Sequence, residues 1–176
     1  MQDPVHILSQ FSAYGFSSIA HLSQSFDQHL LGVYQVLKSW EEEEAVCVAG
    51  LLHSIYGTVA FRHEIVSLQE RDWVRSVVGE RAEALVFLFC VHARVSLFSQ
   101  LQNDGEYYVE SFQDNRRMPV TSEQFRDLIV LNFANIIELR PRTIGQDRDA
   151  FKEYLKPARK ILSPTLASRI SAAYQI

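Results

Sequence analysis

A helix-length segment with no polar side, residues 43–56, constrains this sequence more than any other feature. Its apolar side chains point in every direction around a helix axis: Ala45, Val46, Val48, Ala49, Leu51, Leu52 and Ile55. A helix that is apolar all round is buried on all sides. The segment therefore predicts a central helix, begun by the glutamates at 41–44, which suit the positive end of its dipole, and ended by Gly57.

Helical spacing and helix-terminating residues recur along almost the whole chain. Asp3 and Gly15 delimit a first helix over residues 4–14, and a capping box from Ser25 to Gln28 begins a second. Further helices are predicted over 71–78, 80–101, 121–140, 149–162 with a kink or break at Pro157, and 164–174. We expect one all-α domain over residues 1–176, a bundle of six to eight helices, with a core at 25–140 and peripheral helices at 1–15 and 147–174.

One segment departs from this pattern, an insert at residues 102–121. Strand-like runs at 106–112 and 117–121 flank Asp114-Asn115 and predict a short hairpin. An insert of this length exceeds what a connection between two helices needs, and such inserts often form lids or pocket walls.

Composition excludes several classes of function. With 17 Lys and Arg against 21 Asp and Glu, the net charge is −4, which provides no basic field for nucleic acid or an anionic membrane. Cys47 and Cys90 are the two cysteines, too few for a disulfide framework, and we expect packing roles for both. The N-terminus lacks the pattern of a signal peptide, and the apolar stretch 45–61 is shorter than the ~20 residues of a bilayer span. We expect a cytoplasmic protein with a small-molecule ligand; its oligomeric state is left open.

Two of the six histidines, His29 and His53, are placed to share a site. Small residues accompany each imidazole at one helical turn, Gly32 beside His29 and Ala49, Gly50 and Gly57 around His53. Small residues let two helices approach closely, as a site between facing helices requires. The alternative is that both are hydrogen-bonded core residues.

Two stretches around these histidines resemble a known family. They are Phe-Asp-Gln-His-Leu-Leu-Gly-Val-Tyr-Gln-Val-Leu at residues 26–37 and Ala-Gly-Leu-Leu-His-Ser-Ile-Tyr-Gly-Thr at 49–58. Together they resemble the core of the HD-domain superfamily, nearest in layout to the guanosine tetraphosphate hydrolase domains. In that pattern a His precedes a His-Asp pair by about two dozen residues, and here His29 and His53 are 24 apart. A later Asp completes the pattern.

The resemblance extends over residues 25–139 and implies an HD-like helical bundle with metal ligands at His29, His53, Ser54 and Asn135. The sequence also resembles a family of small uncharacterised bacterial and fungal proteins that share a His-Ser-x-Tyr-Gly-Thr segment. That second resemblance implies no activity.

Departures from the hydrolase pattern weaken the implied chemistry. Ser54 and Asn135 stand where the family has aspartates, so two negative charges are missing from the metal site. Gly57 and Thr58 replace the acidic pair that the hydrolases use for acid–base chemistry, which disfavours phosphohydrolysis. The remaining donors suit one divalent Fe, Mn or Zn with a third ligand, for which His92 is better placed than Asp27, Glu64 or Glu138, or else no metal.

The same neighbourhood offers groups for metal-free proton transfer. We predict His53, Tyr56 and His29 as catalytic residues, because imidazoles titrate near neutrality and a tyrosine is a weak acid. Tyr34, Thr58, His92 and Arg94 are predicted to contact substrate, with Arg94 binding a carboxylate or phosphate at two points. The alternatives are core roles for both tyrosines and a surface ion pair for Arg94.

These features favour a small-molecule enzyme that uses His and Tyr acid–base chemistry or a weakly held metal. Analogy with HD-like oxygenases, which hold iron, adds oxidative chemistry to the options. A non-catalytic binding or regulatory module is the alternative, and a metal-dependent phosphohydrolase is the third hypothesis.

Overall fold

The structure is a computed structural model that describes residues 3–15, 20–21, 24–102, 105–139 and 148–174. Within these ranges the chain forms nine α-helices and two small antiparallel hairpins, which confirms the all-α prediction. The helices are α1 Pro4–Gln10, α2 Phe26–Ser39, α3 Glu44–Leu52, α4 Arg71–Val78, α5 Glu80–Val91, α6 Arg94–Ser99, α7 Ser122–Leu139, α8 Arg148–Ala158 and α9 Pro164–Tyr174. The strands are β1 Ala20–His21, β2 Gln24–Ser25, β3 Tyr107–Glu110 and β4 Arg117–Val120.

Helix α3 lies at the centre, as its all-round apolarity predicts. Every residue from 46 to 52 is buried, and α3 packs against α2, α5 and α7. It ends at Leu52, four residues before the predicted end, and beyond it Ile55 N–H donates to Leu52 O and Gly57 N–H to Ser54 O in turns that replace the helical hydrogen bonds. The chain leaves the helix through two tight turns, and Gly57 takes a left-handed φ of 77°. His53 therefore sits at the end of α3 and not inside it.

The prediction of one long helix over 80–101 is wrong, because the segment divides at His92 into α5 and α6. His92 has an extended backbone, and the neighbouring Ala93 N–H donates to Glu110 O at 3.0 Å. The Phe112 N–H in turn donates to Val91 O at 3.0 Å. Pairing with the insert thus replaces the helical hydrogen bonds at this point, while the apolar pattern continues through it. The division gives one helix more than the upper end of the predicted range.

Three helix starts follow the predicted caps. Asp3 Oδ1 accepts from Val5 N at 3.0 Å, Ser25 N–H donates to Gln28 Oε1 at 3.4 Å, and Thr121 and Gln124 bond reciprocally at 3.0 and 3.1 Å. Helix α9 has both its predicted ends. Helix α8 ends one residue after Pro157, short of the predicted 162, and α1 gives way to a 3₁₀ turn over Ser12–Tyr14. The region 140–147, where α7 and α8 were expected to meet, lies outside the described residues.

The insert is the predicted hairpin. Its register runs from Tyr107 opposite Val120 to Glu110 opposite Arg117, and β3 packs against α5, α6 and α7. No helix in the described ranges is both long and apolar enough to cross a membrane. Cys47 and Cys90 are buried free thiols, as expected of packing residues.

Candidate functional site

A cavity of about 720 Å³ opens between α2, the loop after α3, the α5–α6 junction and α7. This volume falls in the range of small-molecule sites, roughly 300–1,000 Å³. Its lining is largely apolar with a few polar groups: His29, His53, Ser54, Thr58, Val59, Ala60, Phe61, Phe89, His92, Ala93, Arg94, Val95, Phe112, Asn135, Ile136 and Leu139. Three of the six histidines thus meet at one space.

The closest pair in this cavity is His29 and His53. Their Nε2 atoms are 3.2 Å apart, and the two ring planes meet at 74°. Each residue is only 1% exposed. The two imidazoles are therefore paired, as expected.

The outer nitrogen of each ring contacts an acceptor. His53 Nδ1 lies 2.7 Å from the carbonyl oxygen of Gly50, and His29 Nδ1 contacts Glu138 Oε2. A carbonyl or carboxylate oxygen accepts a hydrogen bond, so each Nδ1 carries the proton and each Nε2 turns toward the other ring. One proton is then required for a hydrogen bond between the two Nε2 atoms.

Glu138 contacts the histidine pair in a way that was not predicted from the sequence. It was considered less well placed than His92 as a third ligand, yet it is Glu138 that contacts His29, on the side away from His53. Gly32 makes this approach possible, because a Cβ there would lie 2.8 Å from both Cγ and Oε1 of Glu138. The signal for it was its spacing, three residues after Asn135 and thus on the same face of α7.

His92 occupies a second corner of the cavity. Its Nδ1 lies 2.5 Å from Phe89 O, and its Nε2 lies 3.2 Å from Asn132 Oδ1. Burial lowers the pKa of His92 to about 4, with a smaller contribution from Arg94, so the ring is neutral at pH 7. Its Nε2 faces Asn132, a residue that the sequence analysis missed.

Arg94 supplies the positive charge in the cavity wall. Its Nε donates to Asn132 Oδ1 at 3.0 Å, and Asn132 is itself held by its amide group, which donates to Leu128 O at 2.8 Å. In the described part of the chain no carboxylate pairs with Arg94, so the alternative of a surface ion pair finds no partner there. Burial lowers the pKa of the guanidinium from its ordinary value, which leaves it charged at pH 7.

Ser54, Thr58 and Asn135 also line the cavity, as predicted. Asn135 is 5% exposed, and its Oδ1 has no hydrogen-bond partner among the described residues. The Thr58 hydroxyl accepts from Phe61 N at 3.0 Å and so shapes the loop that follows α3. The four positions implied as metal ligands, His29, His53, Ser54 and Asn135, therefore share one cavity.

The structure does not bring the two predicted tyrosines to this space. The Tyr56 hydroxyl donates to Glu83 Oε1 at 3.2 Å, on the far side of the turn that follows His53. Glu83 is fully buried and also accepts two hydrogen bonds from Arg71, at 2.6 and 3.0 Å. Tyr34 is buried in the core, and burial raises the pKa of both hydroxyls. Of the residues described here, neither tyrosine is part of the cavity wall.

The spacing of the two Nε2 atoms, taken alone, is compatible with a shared divalent metal. Two nitrogens bound to one tetrahedral zinc at about 2.0–2.1 Å lie ~3.3 Å apart, close to the Nε2 separation seen here. Carbonyl and carboxylate partners on the outer nitrogens are typical of metal-ligating histidines. Within the described ranges no three His, Cys, Asp or Glu side chains group as ligands, so the remaining donors are neutral oxygens, of which Asn135 Oδ1 is unpartnered.

Comparisons with known proteins add one finding. A family model described as a domain of unknown function (DUF6817) matches residues 10–94, just under half of the chain. That stretch contains His29, His53, His92 and Arg94, whereas Asn135 and Glu138 lie beyond it. The search of curated proteins found no match, and neither did the search of solved structures.

Proposed function

We propose that this protein is a small-molecule enzyme whose reaction centre is the His29–His53 pair, which transfers a proton within the cavity. The observation that carries the proposal is the 3.2 Å separation of two Nε2 atoms whose outer nitrogens both contact acceptors. Such a pair is preorganised to take up or release one proton at its centre.

In this proposal one imidazole acts as the general base and the other receives or returns the proton. The Gly50 carbonyl and Glu138 hold the two rings in position, so little reorganisation accompanies the transfer. The aromatic and aliphatic walls, among them Phe61 and Phe89, exclude bulk water from the reacting groups. Tyr56 has no part in the reaction, because its hydroxyl is bound to Glu83.

A weakly held divalent Fe, Mn or Zn is the second candidate, favoured by the Nε2 spacing and the unpartnered Asn135 Oδ1. His29 and His53 would hold it, with Asn135 and Ser54 as neutral oxygen donors. A bound metal supplies Lewis-acid chemistry or, for iron, the oxidative chemistry of the resembled oxygenases. Phosphohydrolysis is the least favoured, because Gly57 and Thr58 provide no acid–base pair.

We further propose a cytoplasmic location and no nucleic-acid partner, from the two free thiols and the net charge of −4. A non-catalytic binding module on an HD-like scaffold is the competing proposal. It predicts ligand binding without turnover.

The test compares wild type with His29→Gln and His53→Gln, and with His6→Gln as an exposed control. Metal content is measured on protein purified without chelator, and turnover is followed by NMR over a panel of small metabolites. The proposal expects turnover in metal-free wild type and in His6→Gln, with its loss in both cavity variants. Near-stoichiometric metal that both variants lose supports the metal candidate instead. Turnover that survives in both cavity variants, or binding without turnover in wild type, overturns the proposal.

Nitrogen NMR of labelled histidines tests the geometry independently of any substrate. The proposal expects a proton on Nδ1 of both rings and one further proton whose signal is coupled to both Nε2 atoms. Separate Nε2–H tautomers for the two rings would contradict the arrangement.

A further inference from the structure

Arg94 is a cation placed in an otherwise uncharged wall. Among the described residues that line the cavity, it is the one side chain with a permanent charge. Its one side-chain hydrogen bond among the described residues uses Nε, which leaves the two Nη groups as a fork of donors toward that part of the chain. Such a fork matches the two oxygens of a carboxylate.

Two hydrogen bonds of Asn132 fix the position of the Arg94 guanidinium. Asn132 bonds Arg94 Nε at 3.0 Å and is fixed in turn by Leu128 O at 2.8 Å, so the amide cannot turn over. Arg94 is itself exposed where it lines the cavity, so its Nη groups are accessible to a ligand. A carboxylate on a ligand supplies the opposite charge.

The remaining walls indicate what the rest of the ligand looks like. Phe61, Phe89 and Phe112 line the cavity together with aliphatic side chains. At its edge, Val59 and Val95 are 49% and 75% exposed, among the few large hydrophobic residues at the surface of the described chain. Apolar surface of this kind binds apolar ligand surface.

We infer that the cavity binds small monocarboxylates with an apolar body, the carboxylate on the Arg94 fork and the body against the phenylalanine walls. Among the described residues of the lining, Arg94 is the one cation, which matches one negative charge, so a phosphate dianion would lack a second cation there. As a statement about substrate, the inference rests on the proposed function. As a statement about binding, it stands on Arg94 and the walls alone.

The probes are phenylacetate, phenylpropanoate and octanoate, each with its neutral amide, together with phenyl phosphate. Affinities are measured by calorimetry on the full-length protein. A charge-assisted hydrogen-bonded pair predicts that at least one carboxylate binds about tenfold or more tighter than its amide. Arg94→Gln should abolish this difference, while Arg94→Lys should retain part of it. Arg116→Gln removes the same charge from the exposed hairpin turn and should leave it intact.

Four outcomes overturn the inference: no probe binds, amides bind as tightly as carboxylates, Arg94→Gln keeps the preference, or phenyl phosphate binds tightest. Circular dichroism confirms that each variant is folded. His53→Gln separates this inference from the proposed function, because it should lose turnover and keep the carboxylate preference. A carboxylate preference in a protein without turnover leaves the inference standing and removes the enzyme proposal.

Discussion

At the scale of single residues, all three cavity histidines are held through Nδ1, and the acceptor depends on where each lies in its helix. His53 follows the last residue of α3 and His92 the last residue of α5, where backbone carbonyls lack helical partners. Nδ1 of each ring contacts the carbonyl oxygen of the residue three positions earlier, Gly50 for His53 and Phe89 for His92. His29 lies inside α2, where carbonyls are already bonded, and its Nδ1 contacts the Glu138 carboxylate instead.

His92 should make the protein less stable in mild acid. Its folded pKa is about 4 against an ordinary 6.5, so below pH 6.5 the unfolded chain binds a proton that the folded chain does not. Stability is therefore complete above pH 6.5 and falls as the pH drops toward 4, by about 3 kcal/mol in total. His92→Asn retains a donor for Phe89 O without the titration. Between pH 7 and 4.5, wild type should lose about 2–3 kcal/mol more than this variant in urea unfolding.

The control for this comparison is His6→Asn, because His6 is exposed on α1. It should follow the wild-type pH dependence. If the free energies of unfolding of wild type and His92→Asn changed equally with pH, the His92 ring would not be kept neutral by burial.

At the scale of elements, glycines set how closely the helices around the site approach. A Cβ on Gly50 would lie 2.3 Å from Leu37 Cδ1, so this glycine brings α3 onto α2. Gly32 faces Glu138 and brings α7 onto α2 in the same way. Both glycines were expected to serve the approach of α3 to α2, whereas Gly32 faces the carboxylate that contacts His29.

Gly32→Ala should therefore disturb the site more than the fold. Alanine favours a helix over glycine by about 1 kcal/mol, but the added methyl displaces Glu138 and removes a buried hydrogen bond worth roughly 1–3 kcal/mol. We expect a net loss of about 1 kcal/mol by urea unfolding and a changed His29 tautomer by nitrogen NMR. Gln35→Ala, at an exposed position of the same helix, should alter neither.

A double-mutant cycle with Glu138→Ala identifies the route of this effect. If Gly32→Ala acts through Glu138, the two losses are not additive, and the double variant is no less stable than Glu138→Ala alone. Fully additive losses would mean that the methyl acts on other contacts.

What the sequence predicts well is local. The caps at Asp3, Ser25 and Thr121 mark helix starts because their side chains bond to backbone within three residues. The break at His92 was not predictable in this way, since it depends on pairing with Glu110 and Ser111 from the insert. The position of the two imidazoles was predictable from small residues at helical spacing, but the direction of Tyr56 was not, because its hydroxyl donates to Glu83, which lies on another helix and is itself held by Arg71.

At the scale of the whole molecule, the core is continuous around α3, and both thiols lie inside it. Cys47 belongs to α3 and Cys90 to α5, and the Cys90 thiol contacts His53 O at 3.2 Å. The end of α3 beside His53 therefore cannot be exposed without opening the core. Burial raises the pKa of both thiols to about 12, which suppresses the thiolate.

Thiol labelling should therefore report opening of the core. At pH 8 iodoacetamide should leave native protein unmodified and label both cysteines after denaturation, measured by mass spectrometry. Ser39→Cys places an exposed thiol at the end of α2 and should react at once under native conditions. Rapid labelling of Cys90 in native protein would contradict a closed core beside His53.

The hairpin joins the α5–α6 junction through backbone atoms and contributes one side chain, Phe112, to the cavity wall. Backbone pairing tolerates changes of side chain, so the tip of this insert can diverge without dislodging the imidazoles. A change at Phe112 can accordingly alter which ligand the cavity accepts while the His29–His53 pair stays in place, and relatives with altered hairpins should differ in their ligands more than in this pair.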